Sequence, residues 1–393
     1  MRINPGGRLA GENIVGRERE IARYWKILDR QGLVLAGERR IGKTHIMAKM
    51  HEVGRPGFVT IYQELEAVHS LTELVRAVYV AVGSHLSRSS QLKATAVEVW
   101  STLLPKRIGA LDLPTARESW KQLLTSALTD TLAAFDDGEK LVLMWDELPL
   151  MVHNIKEREG ADSAIQLLDL LRHLRQTHAG RLRFVFTGSV GLHLVLRALR
   201  AKGNANAPMN DMQQETVPPM SDADTRELAT RLLCDLDPVP ARKDHITIAA
   251  EIARAVGGFP YYIQHVVDQL SQLDRAATPA DVARAVDTLL LADHDPANFH
   301  YNDARIGTYY DDGEARLARR VLDVIAASDV EMAMPEIVNR VRHQAPETAD
   351  EAVRSICVLL RQDHYLTLSR QGSAGLHDFR WPILKRWWKE TRL

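Results

Sequence analysis

The chain has 393 residues, 45% of them hydrophobic and 26% charged, with 50 lysines and arginines against 51 aspartates and glutamates. That length exceeds one small core and fits two or three domains. The charge balance excludes a global pull toward nucleic acid or an anionic membrane, so any such role would need a local basic patch. No apolar run approaches the ~18 residues of a membrane span, and Met1–Ala10 lacks the apolar stretch of a secretory leader. Cys234 and Cys357 lie far apart in apolar helical patterns, which predicts two buried thiols and neither a disulfide nor a metal site. A cytoplasmic protein is expected.

In chain order, Asn13-Ile14-Val15-Gly16-Arg17-Glu18 leads into an amphipathic helix whose buried face carries Ile21, Tyr24, Trp25 and Leu28. Leu33–Ala36 reads as a short apolar strand. Gly37, Gly42, Lys43 and Thr44 follow at the spacing G-x-x-x-x-G-K-[ST], and a helix is expected from Thr44. Strand, glycine loop and helix are the context a phosphate-binding loop requires. Glycines let successive N–H groups turn inward toward an anion, and the helix N-terminus adds positive potential there. Residues Gly37 through His45, including Arg40, Ile41 and Gly42, would line a nucleotide. Lys43 would reach its β- and γ-phosphates, and the Thr44 hydroxyl would ligate Mg²⁺.

Gly57–Tyr62 is a second expected strand, and Ser70–Leu86 and Arg117–Ala134 are expected helices. The stretch 88–114 mixes a helical pattern around Trp100 with Pro105, Gly109 and Pro114, and receives no role. Leu141–Glu147 (LVLMWDE) is a continuous apolar run ending in two acids. Such a run suits a central parallel strand buried on both faces, and ligands gather at the carboxyl ends of such strands. Asp146 would hold the Mg²⁺, and Glu147 would act as general base on an attacking water. That pair predicts a hydrolase, not only a nucleotide binder.

Ala161–Thr177 is an expected helix and Leu182–Thr187 (LRFVFT) another buried strand, followed by Gly188-Ser189. Arg172, Arg175 and Arg181 read as solvated arginines at a helix end. The polar segment 201–219 reads as a mobile loop and a domain boundary. Four helical patterns then span Ala223–Leu236, Ile246–Val256, Tyr261–Leu273 and Pro279–Ala292, enough for a small bundle. Inside it, Gly257-Gly258-Phe259-Pro260 ends one helix and opens the next. Three further helices, Glu314–Ala327, Met334–His343 and Thr348–Gln362, precede strands Tyr365–Ser369 and Gly375–Phe379 and a last helix, Pro382–Glu390. Three helices then a hairpin is a winged-helix pattern.

The loop G-E-R-R-I-G-K-T, with V-G-R-E, L-M-W-D-E, T-G-S and G-G-F-P in this order, resembles the archaeal-type ATPase family within the STAND class of AAA+-like P-loop nucleoside triphosphatases. The resemblance spans nearly the whole chain. It implies an α/β P-loop fold: a parallel-sheet ATPase core over 1–220, a helical lid bundle over 221–292 and a C-terminal winged helix over 293–393. It also implies that Val15 and Gly16 lie near adenine and that Pro260 packs on the base. Thr187 or Ser189 would be the polar sensor of the γ-phosphate, and an arginine among Arg172, Arg175 and Arg181 would be a finger for a neighbour's site. Leu376-His377-Asp378 resembles the M-H-D motif whose histidine touches the β-phosphate of bound ADP. A turn histidine paired with Asp378 is the other reading of His377.

The implied function is a slowly hydrolysing, ATP-binding regulatory switch, closed with ADP and open with ATP. No effector chemistry is visible, so its output would pass to a protein partner or a self-assembly. The alternative is a DNA-binding AAA+ ATPase that applies its winged helix to duplex; an adaptor with a purely structural nucleotide is a third reading. Acids at the start of the expected recognition helix, Glu347, Asp350 and Glu351, disfavour DNA, whereas Arg380, Lys385, Arg386 and Lys389 near the end are the basic residues it would use.

Overall fold

A computed structural model describes residues 2–7, 11–85, 116–136, 138–188, 191–200, 207–372 and 374–393. The unassigned stretch 88–114 and Ser189 lie outside the described residues. The chain forms two compact units: residues 17–39 and 43–217 make one, and residues 1–16, 40–42 and 218–393 make the other.

The first unit is an α/β layer structure. Its five strands are β1 (Gly32–Ala36), β2 (Phe58–Glu64), β3 (Lys140–Asp146), β4 (Leu182–Thr187) and β5 (Met212–Thr216). They form one sheet in the order β2-β3-β4-β1-β5, and every pairing is parallel. Parallel strands need helical crossovers, and helices such as Lys43–Val53, Leu71–His85 and Ala161–Thr177 supply them. The reason LVLMW reads as an unbroken apolar run is now explicit: Leu141 to Trp145 are all fully buried, covered on both faces of the sheet. Trp145 keeps its polar end satisfied by donating its indole N–H to Gln63 Oε1 at 2.8 Å. Arg183, buried on β4, donates to the Leu28 carbonyl at 3.0 Å, so it satisfies an orphan acceptor at the end of helix Glu18–Leu28.

Two expectations need correction. The segment 201–219 is not simply a loop: Met212–Thr216 pairs with β1 along Gly32–Ala36. Only Met212 in it is buried, Gln213 and Glu215 are half-buried and Gln214 and Thr216 are exposed, so a polar edge strand carried no apolar run to mark it. Cys234 is exposed, because it caps the C-terminus of helix Asp222–Leu233 one residue past the buried Leu232 and Leu233. Cys357 is buried as expected, and burial pushes its thiol pKa up to about 12.

In the second unit, helices Asp222–Leu233, Arg242–Val256, Pro260–Ser271 and Pro279–Leu291 follow one another, and His300–Tyr309 adds a helix not expected from sequence. Capping explains several boundaries. Ser221 accepts the Asp224 N–H, and Thr278 with Asp281 forms a reciprocal capping box. Gly257 ends its helix in the left-handed conformation and Pro260 opens the next. Asp312–Ala326, Met334–Gln344 and Asp350–Gln362 then lead to a three-stranded sheet ordered β6 (Met332–Ala333), β8 (Ala374–Phe379), β7 (Leu366–Gln371), and helix Pro382–Arg392 closes the chain. An aromatic stack ties early to late residues of this unit. Phe259 lies 4.5 Å from Trp381, and Tyr262 stacks on Phe299 at 5.0 Å, ring centre to ring centre. The boundary expected at 292/293 falls inside this unit.

Candidate functional site

The loop after β1 takes a backbone path that ordinary residues avoid. Gly37, Arg40 and Gly42 have φ of 148°, 67° and 103°. A Cβ on Gly42 would meet nothing within 4 Å, so glycine is needed there for its torsion and not for space. The following helix begins at Lys43, one residue earlier than expected, and His45 sits half-buried in its first turn. Lys43 is 6% exposed, and its ammonium donates to the carbonyls of Gly37 at 2.8 Å and Glu38 at 2.6 Å. The loop is folded around that charge.

At the C-terminal end of β3, the Asp146 carboxylate is 3% exposed and gathers three donors. The Thr44 hydroxyl donates to Oδ2 at 2.5 Å, the Tyr62 hydroxyl to the same oxygen at 3.2 Å, and the Glu147 N–H to Oδ1 at 3.0 Å. Glu147 itself sits at φ 59°, ψ 31°, a left-handed conformation that is uncommon for any residue but glycine, asparagine or aspartate. A Cβ built on Gly188 would come to 3.4 Å from Glu147 Oε2, so this carboxylate lies beside the end of β4.

Strand register explains the convergence. Tyr62 pairs with Met144, Glu64 with Asp146, Met144 with Val185 and Leu35 with Thr187. Register partners, and residues two apart, share a face, so Tyr62, Asp146 and Thr187 stand on one side of the sheet near its C-terminal edge. Thr187 is 2% exposed, and its hydroxyl has no partner among the described residues. A buried, unpaired hydroxyl at a strand end is costly unless something binds it. Tyr62 was missed from sequence, because only pairing register places it diagonally across from Asp146.

The other candidates fall in the second unit or are already engaged. Val15 is buried, and a Cβ on Gly16 (φ 69°) would come to 2.9 Å from the Asp224 carboxyl carbon. Arg40 and Ile41 belong to this unit. The Arg40 guanidinium lies over the Tyr261 ring, 4.2 Å from its centre, and also donates to the Tyr261 hydroxyl. Pro260 begins the helix that carries Tyr261. His377 is not a turn residue paired with Asp378. It lies within β8, opposite Met332 and Leu368, while Asp378 accepts from Lys385 at 2.7 Å and from the Phe379 N–H. His377 Nδ1 is buried with no partner among the described residues, and burial, helped by the Arg361 charge, lowers its pKa. Of the arginines expected to be solvated, Arg175 is instead buried and pairs with the half-buried Asp211 at 2.8 Å, and Arg181 donates to the carbonyls of Phe135 and Asp136. Arg172 Nε is buried without a partner among the described residues.

This donor set fits a phosphate chain with a divalent cation: a cationic loop, a helix N-terminus, a hydroxyl already on a carboxylate, and an orphaned hydroxyl nearby. No protein-family model and no curated protein matches the chain. Among solved structures, the chain resembles a Walker-type ATPase of Pyrococcus abyssi at TM-score 0.65 and 14% identity, over 99% of this chain and 100% of the other. It also resembles the ORC2 protein of Aeropyrum pernix, solved as ADPNP–ADP complexes, at TM-score 0.53 and 12% identity, over 95% of this chain and 94% of the other. The fold is therefore that of these P-loop ATPases. Among the described residues, no helix is long and apolar enough to cross a membrane.

Proposed function

We propose that the protein is an ATP-binding, slowly ATP-hydrolysing regulatory switch of the STAND type, with a core over 1–220, a lid over 221–292 and a winged helix over 293–393. The observation that supports the nucleotide-hydrolysing part of this reading is the Thr44–Asp146 bond beside a left-handed Glu147, and the switch itself rests on the resemblance of the motifs. When bound, ATP with Mg²⁺ supplies the transferable phosphoryl group and the cation that neutralises its charge. Backbone N–H groups from Gly37 to Thr44 hold the phosphates. The Lys43 ammonium, now satisfied by two carbonyls, exchanges them for phosphate oxygens. Thr44 Oγ1 and Asp146 hold the cation, and Glu147 takes the proton of the attacking water at its carboxylate. Thr187 donates its unpaired hydroxyl to phosphate or water. Val15, Gly16 and Pro260 line the base pocket, and His377 senses ADP.

The alternative, a duplex-DNA-binding ATPase, is less favoured because the last helix spends its charge internally. Lys385 pairs with Asp378, Arg386 with Asp287 and Glu390, Lys389 with Asp329, and Arg392 with Asp323. The test is the protein as purified, assayed for bound nucleotide and weighed in solution with ADP and with a non-hydrolysable ATP analogue. Bound ADP, with a monomer that assembles under the analogue, is the expected result. An empty site with unchanged mass contradicts the switch.

A further inference from the structure

We propose that Tyr62 is a positioning residue for the divalent cation, acting through Asp146; the proposal rests on the nucleotide reading above. A cation-holding carboxylate must present the right oxygen in the right plane, and a buried one rotates freely unless its other lone pairs are engaged. Asp146 Oδ1 is engaged by the Glu147 N–H, and Oδ2 receives both the Thr44 and the Tyr62 hydroxyls. Thr44 is itself a prospective cation ligand. Tyr62 is therefore the donor among these three that lies outside the loop and helix proposed to hold the cation, and it reaches the carboxylate from β2.

The reach follows from sheet geometry. Tyr62 pairs with Met144, so Asp146 is its diagonal neighbour on the same face, a distance that long aromatic side chains span. The ring is steadied from the helix that carries Lys43 and Thr44. His51, in the last turn of that helix, bonds through Nδ1 to the Thr60 hydroxyl at 2.8 Å, and its ring centre lies 6.4 Å from that of Tyr62. Tyr62 thus touches the strand that bears the acid and the helix that bears the loop. A phenylalanine would preserve its ring packing and delete only the hydroxyl.

The probe is Mn²⁺ in place of Mg²⁺, followed by electron paramagnetic resonance on the full chain saturated with ADP. Tyr62→Phe should weaken Mn²⁺ binding to the protein–ADP complex by about 10-fold, the loss typical of a supporting partner, while affinity for ADP in EDTA stays within about twofold. Unchanged Mn²⁺ affinity in the variant overturns the role. So does an equal loss of ADP affinity in EDTA, which would make Tyr62 a general packing residue. A wild-type protein that binds no ADP at all removes the nucleotide reading itself, a different failure.

Discussion

Thr44 and Asp146, 102 positions apart in the chain, meet through a 2.5 Å hydroxyl-to-carboxylate hydrogen bond. One sits in the first turn of helix Lys43–Val53 and the other ends β3, an interior strand, so the sheet and its first crossover helix are closed against each other at this point. Removing the threonine hydroxyl tests both its structural and its proposed metal role. Thr44→Ala should retain the fold and lose the enhancement of nucleotide affinity by Mg²⁺; an unaltered enhancement in fluorescent-nucleotide titrations would falsify Thr44 as a ligand.

Glu147→Gln should bind ATP and fail to turn it over. The substitution keeps size and hydrogen bonding but removes the basic oxygen, and general-base contributions run to about 10²–10⁴-fold in rate. Single-turnover hydrolysis within twofold of wild type would show that the proton goes elsewhere.

Lys43→Ala should abolish nucleotide binding in equilibrium dialysis. Its ammonium is placed against both the Gly37 and the Glu38 carbonyls, within the loop proposed to hold the phosphates. Retention of tight ATP binding would remove the phosphate-loop assignment.

The buried ion pair of Arg305 and Asp363 also accepts the Tyr310 hydroxyl at 3.1 Å. Asp363→Ala strands a buried guanidinium and should cost about 3–5 kcal/mol of stability. Chemical unfolding with a loss under ~1 kcal/mol would mean that water reaches the arginine.

His265 gives a pH dependence of known sign. Burial, then the Arg40 charge, depresses its pKa from 6.5 to about 4, with Asp295 opposing. A histidine depressed in the folded state binds its proton more readily when unfolded, so stability is full above pH 6.5 and is lost as pH falls toward 4. The shift corresponds to about 3 kcal/mol. His265→Met should show a flatter stability profile than wild type between pH 7 and pH 4.5; parallel profiles in urea unfolding would contradict this.

What could be read in advance was local. The proposed phosphate loop and acid pair are defined by spacing within nine or fewer residues, a scale at which a pattern can be read without a fold. Strand β3 announced itself because burial on both faces demands an unbroken apolar run. Tyr62, the Arg175–Asp211 pair and strand Met212–Thr216 were not readable, since each depends on which strand lies next to which, and a polar edge strand carries no run to betray it. Cys234 misled for a related reason: periodicity identifies the buried face of a helix but not the residue at which the helix stops.

A sheet's outermost strand offers its free amides and carbonyls to any other strand that approaches. Met212–Thr216 holds that position beside β1 and carries Gln213, Gln214 and Glu215, with Arg23 bonded to Glu215 at 2.8 Å. Brevity and fixed charge make this edge a poor template for another chain. Edge-to-edge pairing, a common route to insoluble aggregates, is disfavoured here by the same polar residues that disguised the strand as a loop.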